Sequence, residues 1–118
     1  MQSKIKTEFG TIAIENEVIA RIAGLSAMEC YGVVGMAAKS LKDGLVHLLK
    51  IESLSKGVNI ETLENGELVI DLHIIVEYGT NLVAIANSLK DNVRYTVQER
   101  VGMDVRDVNI FIEGVRID

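Results

Sequence analysis

Cysteine is nearly absent: Cys30 is the single one in 118 residues, so no internal disulfide can form and one copy cannot complete a thiolate zinc site. That usage fits a reducing cytoplasm. The opening residues Met1-Gln2-Ser3-Lys4-Ile5-Lys6 lack the apolar stretch of a signal peptide, and the most apolar segment, Leu68 to Val76, is broken by Asp71 and His73. Neither a leader nor direct membrane insertion is expected. There is no G-x-S-x-G elbow and no phosphate-binding glycine loop. Ser26, Ser40, Ser53, Ser55 and Ser88 have no identifiable histidine and carboxylate partners for nucleophilic catalysis.

Cations are scarce where they would matter most. Lys and Arg number 12 against 17 Asp and Glu, for a net charge of −5, which disfavours binding to a nucleic-acid backbone. Between Gly57 and Tyr78 stand Glu61, Glu64, Glu67, Asp71 and Glu77 with no Lys or Arg. That stretch carries the whole imbalance, so one edge or face is expected to be locally acidic. A hydrophobic content of 48% and a mean hydropathy of +0.26 exclude a disordered chain. The length suits one domain, spanning 1–118, that buries about two thirds of the surface its unfolded form exposes.

Periodicity then assigns elements. Lys4 to Ile14 reads as extended, with Ile5, Thr7 and Phe9 on one side and a turn or bulge at Gly10. Asn16 is placed to cap a helix ending near Cys30, with Val18, Ile19, Ile22, Leu25 and Ser26 inward. Ala20, Ala23, Gly24 and Ala27 make that helix thin. A helical glycine costs about 1 kcal/mol relative to alanine, so Gly24 implies close approach of another backbone. The glycines of Tyr31-Gly32-Val33-Val34-Gly35-Met36 read as a helix end and a tight connection, and a short amphipathic piece is expected between Asp43 and Leu54.

Gly57 to Leu63 and Glu67 to Tyr78 are extended runs joined through Asn65-Gly66, a pair suited to the positive φ of a hairpin turn. In the second run Leu68, Ile70, Leu72, Ile74 and Val76 form one apolar face. Gly79 breaks that strand, Thr80 or Asn81 caps a long helix, and Leu82, Ile85, Ala86, Leu89, Val93, Val97 and Val101 recur at helical spacing before Gly102. Val105 to Val115 closes the chain as a strand with Val108, Ile110 and Ile112 inward. The fold class is therefore α+β, one mixed β-sheet with two main helices on one face and a central Asn-Gly hairpin.

The landmarks Gly10-Thr11-Ile12-Ala13-Ile14, Val18-Ile19-Ala20-Arg21-Ile22-Ala23-Gly24 and Gly32-Val33-Val34-Gly35-Met36 occur in order. They are followed by Lys56-Gly57-Val58, Val76-Glu77-Tyr78-Gly79, Val93, Val97 and Val105 to Ile110. In these motifs the chain resembles the alkaline shock protein family of Gram-positive bacteria, also described as general stress proteins, over nearly its full length. The resemblance implies a cytoplasmic bacterial protein tied to cell-envelope or alkaline stress, able to self-associate, in a family whose members reach the membrane through a separate anchor protein. It implies no established catalytic activity and no cofactor. Short members are often encoded beside a fatty-acid kinase of the dihydroxyacetone-kinase type, which makes a lipid-kinase partner the alternative.

Two surfaces are singled out as candidate interaction sites. The uncovered sheet face should carry Val69, Asp71, His73, Ile75, Glu77 and Phe111, a mixture of apolar and charged groups of the kind that partners use. The exposed face of the long helix, with Lys90 and Arg94, is mildly basic, complementary to the acidic hairpin of another copy. Gly32-Val33-Val34-Gly35 has the outline of a GxxG nucleic-acid clamp, but its middle residues are both valine and supply no cation, so it reads as a turn. His73 has acidic neighbours in Asp71 and Glu77, which read as a solvated face rather than a metal site. Cys30, near a helix C-terminus beside Glu29, reads as a small core residue in a place that does not activate a nucleophile.

Overall fold

The ten-residue strand Leu68–Glu77 is the axis of the molecule. The computed structural model describes residues 2–39 and 46–117, so the piece expected between Asp43 and Leu54 lies partly outside the described residues. In chain order the elements are β1 (Gln2–Thr7), β2 (Gly10–Glu15), α1 (Asn16–Met28), β3 (Val33–Lys39) and β4 (Val46–Leu48). A 3-10 helix (Ile51–Gly57), β5 (Val58–Thr62), β6 (Leu68–Glu77), α2 (Leu82–Val101) and β7 (Val105–Arg116) follow.

β7 runs parallel to β6 along its full length. β5 pairs antiparallel with Leu68 to Leu72, and β3 pairs antiparallel with Ile74 to Val76. A strand has two edges, so β5 and β3 share the one opposite β7, lying end to end along it, and β4 continues outward from β3. The β5–β6 connection is the anticipated Asn65-Gly66 turn: Gly66 has φ +89° and Asn65 Oδ1 accepts from the Glu67 N–H at 3.0 Å. Parallel pairing of β6 with β7 requires a crossover, which α2 provides.

Period-two alternation in β6 puts Leu68, Ile70, Leu72, Ile74 and Val76 wholly inside. Ile85, Leu89, Val93, Val97 and Val101 of α2 pack on that row, as their spacing required. Asn81 caps α2 through its side chain, accepting from the Ala84 N–H at 3.0 Å, and Gly102 ends it at φ +79°. Both helices cover one sheet face, which confirms the α+β class.

α1 departs from its expected orientation. Its buried residues are Ile19, Ala20, Ala23, Gly24, Ser26 and Ala27, whereas Val18 and Leu25, expected inward, are about half exposed. The thin side faces in because it permits closer approach: a Cβ on Gly24 would sit 3.3 Å from Leu54 Cβ, at the 3-10 helix. Asn16 is not the cap; Glu15 holds that position, while the Asn16 side chain accepts from Ser3 Oγ and donates to the Ile60 carbonyl. Phe9, expected on the inner side of a strand, lies in the β1–β2 turn almost fully exposed. The glycine-flanked run after α1 turns at Gly32 (φ +86°) and then enters a full strand, β3. Within Asp43 to Leu54, the described part is β4 and the start of the 3-10 helix, not one amphipathic helix.

Among the glycines, the closest approach to another stretch of backbone is at Gly57, where an added Cβ would lie 2.9 Å from the Ala37 carbonyl oxygen and 3.1 Å from Met36 Cβ. Backbone must move to admit even a methyl group. Gly57→Ala is expected to cost about 1–3 kcal/mol, against about 1 kcal/mol for loss of the helix cap in Asn81→Ala. Urea unfolding of both variants checks the order.

Candidate interaction surfaces

Strand alternation, having sent one row of β6 inward, delivers Val69, Asp71, His73 and Ile75 to the opposite face, each partly exposed. The parallel register with β7 sets Asp71 beside Asn109 and His73 beside Phe111. These neighbours are bonded laterally. Asn109 Nδ2 donates to Asp71 Oδ1 at 2.9 Å, and His73 Nδ1 lies 2.8 Å from Glu113 Oε1. The His73 and Phe111 rings stack with centroids 4.9 Å apart and planes 14° from parallel. Phe111 remains 44% exposed, so a large apolar side chain is fixed in orientation without being covered. Glu77, at the end of β6, is exposed.

A shallow depression of about 280 Å³ borders this face, lined by Ala37, Ala38, Lys56, Asn59, His73 and Glu113. Lys56 and Glu113 give its lining one cation and one carboxylate. The arrangement suits recognition: one stacked aromatic, two carboxylates and a hydrogen-bonding imidazole on a firm sheet. His73 is held by one carboxylate, and among the described residues no three His, Cys, Asp or Glu side chains group so as to hold a metal ion.

Lys90 and Arg94 do not join this face. They belong to α2, which packs on the opposite side of the sheet, and only Lys90 stands free of it. Arg94 is half-buried, and its guanidinium donates to the Arg106 carbonyl at 2.8 Å. Gln98 likewise turns to β7, accepting from the Val105 N–H at 3.0 Å. The basic helix face inferred from helical spacing thus loses Arg94 to the start of β7. Cys30 is buried in a small polar seam between the helices, where Asn92 Nδ2 donates to its sulfur at 3.3 Å. Ser26 Oγ donates to Thr96 Oγ1 in the same seam. Asn92 and Thr96 sit among exposed positions of the α2 pattern, so periodicity does not reveal this role.

The structure is thus of the α+β layer class with helices on one sheet face and a patterned, open second face. The chain belongs to the alkaline shock protein 23 family, whose description is a cell envelope-related function and whose model matches residues 4–117. It is 44% identical over 118 residues to the uncharacterised protein YloU of Bacillus subtilis (strain 168), covering 99% of this chain and 98% of that one. It is 30% identical to the uncharacterised protein YqhY of the same organism, over 95% and 82% of the two chains. A stress response regulator gls24 homolog of Streptococcus pyogenes serotype M3 (strain ATCC BAA-595 / MGAS315) is 30% identical over 91% of this chain and 59% of its own. No solved structure matches. These descriptions are of uncharacterised proteins and stress regulators, and none names a reaction. Among the described residues no helix is long and apolar enough to cross a membrane.

The His73–Phe111 stack is open to direct measurement. A double-mutant cycle with His73→Ala and Phe111→Ala is expected to show a coupling of about 0.5–1 kcal/mol in chemical unfolding, since the rings touch each other but neither is fully buried.

Proposed function

We propose that this chain is a non-catalytic assembly or docking protein of the cell-envelope or alkaline stress response, acting in the cytoplasm through its open sheet face. The observation that carries this reading is Phe111, held by stacking on His73 yet 44% exposed. An aromatic residue immobilised before binding loses little rotamer freedom when a partner covers it. The charges around it supply selectivity: Asp71 and Glu113 are each engaged by a neighbour, which fixes where an incoming cation must approach. The partner is a protein, either a second copy or another chain such as a membrane anchor, and the family's envelope-related description supports that setting.

Capture from cells with the native chain and with Phe111→Asp, read by mass spectrometry, tests the site. The expected result is a specific partner bound by the native chain and lost with Phe111→Asp. A kinase of the fatty-acid type as that partner would assign the protein to lipid metabolism, and an anchor protein would assign it to the envelope. A partner retained equally by both chains would remove the sheet-face site. Single-stranded RNA at low salt is expected to show no retention, because the net charge is −5.

A further inference from the structure

We propose that the free margin of β7 takes an extended segment of a different protein as one more strand, with apolar residues of that segment turned to the helix side and a cation opposite Asp107. This contact goes beyond the open sheet face, because it uses the backbone of the strand at its margin and not the side chains of its face. β7 is twelve residues long and, among the described residues, pairs with β6 alone, so alternate N–H and C=O groups along its other side meet no strand. The helix closes only the beginning, where Arg94 donates to the Arg106 carbonyl and Gln98 accepts from the Val105 N–H. Those two residues end an i, i+4 row that starts with Leu82, Ala86 and Lys90. Its first two members are apolar and offer the strand no hydrogen bond. The other margins of the main sheet are shorter or partly closed: β4 has three residues, and the Asn16 side chain donates to the Ile60 carbonyl of β5.

Burial along the strand marks the same stretch. Leu72 and Ile74 of β6 are fully buried, whereas Ile110 and Ile112, their partners in register on β7, are only half-buried on the same side of the sheet. An inner residue of a sheet is screened by a neighbour on each flanking strand, and here one flank is empty. A row of backbone groups is matched only by an extended chain presenting the same row. Such a chain also takes Ile110, Ile112 and every second residue of its own out of water. Charge argues against a second copy as that chain. The outer row Asp107, Asn109, Phe111 and Glu113 holds two carboxylates and no cation. Arg106 and Arg116 stand beyond its ends, Lys90 belongs to the helix, and Lys56 shares only the depression at Glu113. Antiparallel pairing of residues 107–113 with themselves sets Asp107 opposite Glu113 twice, and like charges directly opposed destabilise a strand pair. A foreign segment with a lysine or arginine opposite Asp107 gains where a second copy loses.

NMR titration of the full chain with a synthetic peptide of alternating lysine and valine, acetylated and amidated at its ends, tests this. Three further peptides serve as comparisons: the same one N-methylated throughout, one of the same composition in block order, and one with glutamate in place of lysine. The alternating peptide is expected to contact backbone amides between positions 107 and 115, to slow hydrogen exchange at alternate amides there, and to bind at least about tenfold more tightly than each of the other three. Asp107→Lys, at an exposed position, is expected to weaken the lysine peptide and admit the glutamate one, with unchanged thermal unfolding confirming that the variant folds. No binding, equal binding of the N-methylated or block-ordered peptide, or contacts confined to β5 or to the helices would each overturn the proposal. So would slowed exchange at the same β7 amides on raising the concentration of the chain alone, since a second copy would then fill the margin.

Discussion

Everything in this structure hangs on the two edges of β6. One edge is filled along its whole length by β7, and the other is divided between β5 and β3. A strand so enclosed has its backbone groups paired inside the sheet, and its inner row of Leu68, Ile70, Leu72, Ile74 and Val76 becomes the floor on which both helices rest. The same pairing produces the outer face, since each inward residue forces its neighbour outward. Core and candidate binding surface are two sides of one alternation.

Division of one edge between two strands explains why α1 sits as it does. β5 arrives directly from the 3-10 helix, which packs against α1, and Gly24 leaves room there for Leu54. A helix turned to bury Val18 and Leu25 would stand further away and open a gap. Packing density therefore outweighs the burial of two larger side chains at this position.

What was legible in the residues was what is local. The Asn65-Gly66 turn, the alternation of β6, a cap at Thr80 or Asn81 and the spacing of α2 each depend on neighbours in sequence, and the structure settles the cap on Asn81. The outer face was legible as well, because period two fixes sides: Val69, Asp71, His73, Ile75 and Phe111 stand where alternation put them. Features that depend on distant chain were not. The start of β3 reads as a connection because glycines dominate it, and its strand character comes from pairing with Val76, Ile75 and Ile74 some forty residues later. Phe9 reads as inward because alternation continues through a turn that the sequence marks only by Gly10. Nor does helical spacing alone distinguish a solvated Arg94 from one folded back on the sheet.

Arg94 and Gln98 also bear on how this protein avoids itself in unwanted ways. β7 is the longest strand, with twelve residues, and lies at the margin of the sheet. Backbone groups left open on such a margin invite other chains to add as further strands, the route to amyloid-like aggregation. By occupying the Arg106 carbonyl and the Val105 N–H, two side chains from α2 close the beginning of that margin to strangers. Gatekeeping of this kind needs only a helix that crosses over and reaches back.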